Sequence, residues 1–292
     1  MKKTNVKPPW RGKRRPTSSG TYAQQGRKKT WDKPKKPEGL SVWDQAARWY
    51  DSIVGEEGSY YQREIILPRT FQMLNLQKGD RVLDLACGQG VFSRYLNSKG
   101  IRVEGLDSSS ELIQCAQTRS ASEICFHVAD SCNPNALEGE KFDAVVCILA
   151  IQNIDPLESV FRNVARWLKP GAKFVVVMTH PCFRVPRQTH WGWDEEKRLE
   201  YRRVDLYATE TPIPILTPPM AKSDIYTMTY HRPLQSYFKA LSDAGLAVDG
   251  LEEWVSNKVS QPGSRSRAEN RARNEIPLFL ALRVIALPHE NH

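Results

Sequence analysis

Between residues 81 and 179 the chain alternates short apolar, β-rich runs with stretches of helical spacing, and this rhythm restricts the fold more than any other feature. Strands are predicted at 81–86 (RVLDLA), 101–106 (IRVEGL), 124–129 (ICFHVA), 142–151 (FDAVVCILAI) and 173–179 (KFVVVMT), with helices at 91–99, 109–119 and 157–168. Strands that are apolar along their whole length, without polar alternation, are buried on both faces. Separated by helices, such strands build a doubly wound α/β fold: a mostly parallel sheet with helices on both sides. The last of these helices is expected to stop at Lys169-Pro170-Gly171.

The flanks follow other patterns. Residues 41–54 set Val42, Ala46, Tyr50 and Ile53 on one helical face, with Ser41 as N-cap. A second helix is expected over 64–76, interrupted near Pro68. Residues 181–231 break the rhythm and are rich in aromatics, histidines and prolines. A helix follows at 233–244, then strands at 247–255 and 277–287 around a polar, Arg-rich loop at 256–275.

Charge divides the chain. Residues 1–39 hold thirteen Lys/Arg against Asp32 and Glu38, a net +11, so the remaining residues carry −2 of the overall +9. This segment has no apolar periodicity to offset the entropy of ordering, and it reads as a disordered basic tail. Trp10, Tyr22 and Trp31 interleave its cations. That pattern fits a tether to RNA or the ribosome, and equally a solvated extension. The expected organisation is therefore a tail at 1–39 and one domain at 40–292, with N-terminal helices or a lid at 41–76 and an inserted cap at 181–231.

No run of about 18 apolar residues is present, so no membrane partner is expected. The basic start lacks the apolar stretch of a secretory signal. The six cysteines form no C-x-x-C pair, which predicts reduced, buried thiols in a cytoplasmic protein and no zinc or other metal.

The chemistry concentrates in VLDLACGQG, residues 82–90, a strand running into a glycine turn that opens a helix. Gly88 and Gly90 let the backbone approach a ligand, and the helix that follows offers free N–H groups. A dinucleotide site uses the same device. Three acids favour another ligand. Asp84 is placed to meet a cation such as the amino group of a methionine moiety, a poor choice against a pyrophosphate. Asp107 ends the second strand, where an acid accepts ribose hydroxyls. Asp130 ends the third, where an acid accepts an exocyclic adenine amine. Each also has a plainer reading: a turn-capping acid at Asp84, a helix cap at Asp107, a surface turn at Asp130.

With the glycine motif, VEGLDSS (103–109) and HVADS (127–131), the sequence resembles the class I S-adenosylmethionine-dependent methyltransferases. It is closest to the small-molecule branch that includes the ubiquinone- and menaquinone-biosynthesis enzymes. The resemblance covers roughly residues 65–180 and more loosely the final strands. It implies a seven-stranded sheet with its last strand antiparallel, and S-adenosylmethionine as cofactor. Cofactor contacts are implied at Asp84, Ala86, Gly88, Gly90, Asp107, Ser108, Asp130, Ser131, Ile148 and Gln152. Ala86 departs from the family, where many members carry a first glycine.

The expected activity is methyl transfer to an O, N or C nucleophile of a small organic molecule. The alternatives are an RNA methyltransferase recruited by the tail, and an inactive protein that binds cofactor or RNA. Tyr50, Tyr60, Trp191 and Tyr230 are candidate substrate contacts, with packing as the plainer role for each. His180 and His231 are candidate bases. Cys182, in HPCFR (180–184), sits where RNA cytosine-C5 methyltransferases place a nucleophile. The proline-cysteine motif of those enzymes is absent, replaced by Gln152-Asn153-Ile154, and so is the N/D-P-P-aromatic motif of amino-methylating enzymes acting on bases.

Overall fold

Val82, Leu83 and Leu85 are all fully buried, so the strand Arg81–Leu85 (β1) is covered on both faces. A computed structural model describes residues 41–217 and 225–287. The basic segment expected to be disordered lies outside these residues. Ahead of β1 come the helix Val42–Val54 (α1), a π-helical stretch Gln62–Ile66, and Leu67–Leu74 (α2). The alternation then continues as Val91–Ser98 (α3), Arg102–Asp107 (β2), Ser110–Arg119 (α4), Cys125–Val128 (β3), Phe142–Ile148 (β4), Leu157–Trp167 (α5) and Leu168–Thr179 (β5). Two hairpins follow, Thr189–Asp194 with Leu199–Val204 (β6, β7) and Thr211–Leu216 with Tyr226–His231 (β8, β9). The chain closes with Leu234–Asp243 (α6), Leu246–Trp254 (β10), Ser266–Glu275 (α7) and Phe279–Ala286 (β11).

The main sheet has seven strands in the order β10-β11-β5-β4-β1-β2-β3. The pairs β1–β2, β1–β4, β2–β3 and β4–β5 are parallel, and β11 runs antiparallel to both its neighbours. The doubly wound expectation and its antiparallel last strand are both realised. Alternate residues feed two cores. Leu83, Leu85, Val145 and Cys147 face α5 and α6, while Val82, Ala144 and Val146 face α2 and α3. The order reverses at β1, with β4 on one side and β2 on the other, so a crevice opens at the carboxyl ends of β1 and β4.

The departures from expectation are local. The fourth strand ends at Ile148, not residue 151, because Leu149 turns out of the sheet at φ 55° into a 3-10 turn at Ile151–Asn153. The fifth begins at Leu168, since Lys169-Pro170-Gly171 forms a bulge: Phe142 pairs with Leu168, then Ala144 with Lys173. The interruption expected near Pro68 takes the form of a change from the π-helical Gln62–Ile66 to α2 at Leu67, which puts Pro68 in the first turn of α2, where a proline N–H is not needed. Within the loop expected at 256–275 lies α7, whose buried face is Ala272 alone. Polar contacts fasten it: Asn270 Oδ1 accepts the Ser260 N–H at 2.8 Å, and Arg273 donates to the Ser260 hydroxyl. No helix among the described residues is long and apolar enough to cross a membrane.

Candidate functional site

The turn after β1 is bent by three left-handed residues, Ala86 (φ 55°), Gly88 (φ 56°) and Gly90 (φ 79°). At Ala86 the Cβ opposes this conformation by about 1 kcal/mol, which a glycine would avoid. Gly90 is required twice, since a Cβ there would also lie 3.1 Å from both Ala116 and Phe126. Gly90 also begins α3, so the first N–H groups of that helix open onto the turn.

Three acids stand at successive strand ends. Asp84 is buried in β1 and accepts the Ser93 hydroxyl at 2.6 Å. Burial pushes its carboxyl up to about 7; the Ser93 bond opposes this and the Asp107 charge adds to it. Asp107 is the last residue of β2 and braces the turn: Oδ2 accepts the Gly88 N–H and Oδ1 the Ser109 N–H, each at 2.9 Å. Burial also raises its carboxyl, against those two backbone bonds. Each of its oxygens keeps a lone pair for a further donor. Asp130 is exposed and accepts the Cys132 N–H at 2.9 Å, the turn contact of its plainer reading. Beside it Ser131 is buried, and its carbonyl accepts Asn163 Nδ2 at 2.8 Å. Ser108 is exposed, 3.0 Å from the Ser41 hydroxyl.

Helix α1 crosses over this turn. Asp44 caps two helices at once: Oδ2 accepts the Ser41 N–H of its own helix, and Oδ1 accepts the Ser109 hydroxyl at 2.7 Å and the Glu111 N–H at 3.2 Å of α4. Further along, Asp51 takes both Nη atoms of Arg119, at 2.5 and 2.8 Å. Arg119 also donates to Gln89, whose amide donates to the Gly55 carbonyl at 3.0 Å. These ties set the Tyr50 ring over Gly88, within 3.5 Å of where a Cβ would stand. Burial, with Asp107 and Asp84 nearby, pushes the Tyr50 phenol up to about 12, so it stays neutral.

Tyr50, Asp84, Ala86, Cys87, Phe92 and Ile148 line a cleft of ≈ 370 Å³, including the part open to solvent. The sequence reading did not single out Gln62, Cys87, Gln89 or Phe92, which also line it. Gln89 stands inside the glycine motif, and Ser59 three residues before Gln62 is a capping pattern, realised as Ser59 N–H to Gln62 Oε1 at 2.8 Å. Nothing local marks Ser93 as the partner of Asp84. Burial, reinforced by Asp84 and Asp107, holds the Cys87 thiol well above its usual range.

Past β4, Gln152 donates its amide to the Leu149 carbonyl at 3.0 Å, while its Oε1 is buried without a hydrogen-bond partner. Neighbouring Asn153 accepts the Thr229 hydroxyl of β9 at 2.8 Å, which joins the second hairpin to this edge. His231, also on β9, is buried and lies 2.7 Å from the Tyr207 carbonyl through Nε2, which must therefore be the donor. His180 is buried after β5 with both ring nitrogens engaged: Nδ1 accepts the Cys182 N–H at 3.2 Å and Nε2 sits 2.7 Å from Glu253. Burial lowers its pKa, against the pull of Glu253.

The candidate residues thus fall into separate neighbourhoods. Tyr50, Asp84, Ala86, Gly88, Asp107 and Ile148 come together at the glycine turn. Tyr60 is partly exposed beneath the Lys258 ammonium, 4.6 Å from its ring centre. Trp191 stands in β6 with two guanidiniums against its ring, and Tyr230 in β9 under Arg232 at 4.9 Å. Among the described residues, no three His, Cys, Asp or Glu side chains gather to hold a metal.

Residues 83–176 match a family described as a methyltransferase domain. Over 130 residues the chain is 33% identical to phosphoethanolamine N-methyltransferase 1 of Zea mays, covering 43% of this chain and 25% of that protein. Over 155 residues it is 30% identical to 2-phytyl-1,4-naphtoquinone methyltransferase of Synechococcus elongatus, covering 50% of this chain and 65% of that one. The chain therefore spans from a quarter to just under two thirds of these relatives. A crystal structure of an S-adenosylmethionine dependent methyltransferase from Mesorhizobium loti superposes with a TM-score of 0.62 at 26% identity, over 79% of this chain and 100% of that one.

Proposed function

We propose that this chain is a class I S-adenosylmethionine-dependent methyltransferase that methylates an O, N or C nucleophile of a small organic molecule, a reading supported by the methyltransferase-domain match over residues 83–176 and by the similar solved structure. One observation carries the cofactor assignment. Asp84 is a buried carboxylate whose hydrogen-bond partner is a hydroxyl and not a cation, at the base of a cleft under a glycine turn. Burial disfavours its ionised form and the Arg94 charge offsets this only in part, so a cationic ligand in contact with the carboxylate is favoured.

The other residues fit the same ligand. Asp107 keeps lone pairs for ribose hydroxyls, the N–H groups beyond Gly90 suit a carboxylate, and Asp130 with Ser131 and Ser108 borders the adenine end. Ile148 walls the cleft, and the orphaned Oε1 of Gln152 is an acceptor still in need of a donor. S-adenosylmethionine supplies an activated methyl group on a sulfonium. The chain's share of the chemistry is to position and to exclude water, with Tyr50 closing over the turn. Where the acceptor must lose a proton, His231 is the candidate. Its Nδ1 has no hydrogen bond among the described residues, whereas His180 has both nitrogens committed.

The small-molecule reading draws on relatives named for a phospho-amine and a naphthoquinone. A cytoplasmic setting suits six cysteines that are all free thiols. The RNA alternative rests on residues 1–39, which lie outside the described ones. The test is incubation with S-adenosylmethionine carrying a labelled methyl group and a cell extract, followed by fractionation. Label in small molecules is expected. Label confined to RNA would overturn the acceptor class, and no binding of S-adenosylhomocysteine by calorimetry would overturn the cofactor assignment.

A further inference from the structure

Two guanidiniums pack on one indole of the first hairpin, and neither has a carboxylate partner among the described residues. Arg184 lies in the turn that leaves β5, its N–H donating to the His180 carbonyl at 2.8 Å. Its guanidinium carbon is 5.6 Å from the centre of the Trp191 ring, and that of Arg202 is 5.1 Å from the same ring. Arg202 is satisfied by neutral acceptors, the Phe183 carbonyl at 3.0 Å and the Thr189 hydroxyl at 2.6 Å. Arg184 is not: its Nε is buried with no hydrogen-bond partner. Burial and the Arg202 charge lower Arg184 to about 10, with Tyr61 opposing, and no carboxylate acts on it. A third cation stands nearby, the Lys258 ammonium, 4.8 Å from the centre of the Tyr61 ring.

A half-buried guanidinium without a counter-charge is costly, because desolvation is not returned by pairing. Its planar fork matches a carboxylate or a phosphate. The location fits an acceptor site. The Arg184 turn begins where β5 ends, and β5 lies against the end of β4 through the Leu149 N–H to the Val177 carbonyl at 2.7 Å. Tyr61 directly precedes Gln62, which lines the cleft.

We propose that Arg184 and Arg202, stacked on Trp191, form a subsite for an anionic group, a carboxylate or a phosphate, carried by the methyl acceptor. This deepens the methyltransferase reading and rests on it for the identity of the acceptor. The indole packs against both forks, and Arg202 is anchored by its neutral contacts. Arg184 is the member with hydrogen-bonding capacity to spare. The acceptor is thereby an organic acid or phosphate ester and not a neutral quinone.

The test uses three probes of one shape: benzoate, phenyl phosphate and the neutral benzamide. Each is titrated calorimetrically into the protein with and without S-adenosylhomocysteine. Benzoate or phenyl phosphate is expected to bind at least about tenfold more tightly than benzamide, a factor within reach of one charge-assisted contact. The tighter of the two anions identifies the group. Arg184→Met, which keeps the aliphatic stem on the indole, is expected to abolish the preference and leave S-adenosylhomocysteine affinity within about twofold; Arg184→Lys is expected to retain part of it. Equal binding of all three probes, no binding of any, or an intact preference in Arg184→Met would overturn the subsite. The wild-type comparison decides the matter even if a variant fails to fold. Failure of S-adenosylhomocysteine to bind would instead overturn the methyltransferase reading, and the anion titrations would still judge the subsite.

Discussion

The two halves of the site are built in different ways. At the glycine turn the groups are fixed by backbone: Asp107 holds two main-chain N–H groups, and left-handed residues aim the start of α3. In the insert, backbone pairing is confined to two hairpins and side chains pack on side chains. Trp191 is gripped by Arg184 and Arg202, and both hairpins lie outside the main sheet as separate two-stranded pairs. The first construction suits a ligand of fixed structure. The second changes with any substitution in the hairpins and suits an acceptor that differs among relatives sharing the cofactor.

The hardest blow to this contrast falls at Asp107. Asp107→Ala removes the acceptor for the Gly88 and Ser109 N–H groups as well as the expected ribose contact. A hydrogen bond to a charged group is worth about 1.5–3 kcal/mol, so losing the ribose contacts together with the bracing of the turn is expected to lower cofactor affinity by about a hundredfold or more. Affinity near wild type in calorimetry would mean that the turn keeps its shape without backbone bracing.

Asp84 sharpens the contrast through pH. Burial pushes its carboxyl up to about 7 in the folded protein, and a bound cation favours the ionised form. Cofactor affinity is therefore expected to rise about tenfold between about pH 6 and pH 8, with proton release on binding. The sign for folding is opposite. From the ordinary carboxylate range up to about 7 the folded protein holds a proton that the unfolded chain has lost, so Asp84 makes stability fall as pH rises through that window. A flat affinity profile in Asp84→Asn, beside a sloped one in the wild type, is the expected control.

How much was legible follows the same division. The strand rhythm and the acid-to-glycine spacing of VLDLACGQG are local, and they mark Asp84, Gly88 and Asp107 in the sequence. The Asp44 bridge to α4 and the Asp51–Arg119 pair join residues about 65 apart in sequence, and no local pattern announces them. The two hairpins were missed because 181–231 mixes prolines and charges with aromatics, and α7 because a helix that buries only Ala272 has no apolar stripe. Arg184 was passed over because an unpaired guanidinium is recognised by what is missing around it.

A smaller effect is expected at Ala86. Its left-handed φ of 55° strains an alanine and not a glycine. Ala86→Gly relieves about 1 kcal/mol in the folded state, part of which the more flexible unfolded chain takes back. A net gain of roughly 0.5 kcal/mol, read as a rise in denaturation midpoint with unchanged slope, is the expected result. A loss would mean that the Ala86 methyl packs usefully in the cleft wall.

The smallest expected change tests whether the halves are separable at all. Trp191→Leu removes the surface on which Arg184 and Arg202 stack, yet β6 pairs only with β7 among the described strands. Nothing in that hairpin bonds to Asp84, Gly88 or Asp107. S-adenosylhomocysteine affinity is therefore expected to stay within about twofold, in line with the near-additivity of distant sites, while KM for the acceptor rises. A cofactor affinity that fell together with acceptor binding would show that the insert and the glycine turn form one cooperative unit, and that the acceptor half helps to close Tyr50 over the turn.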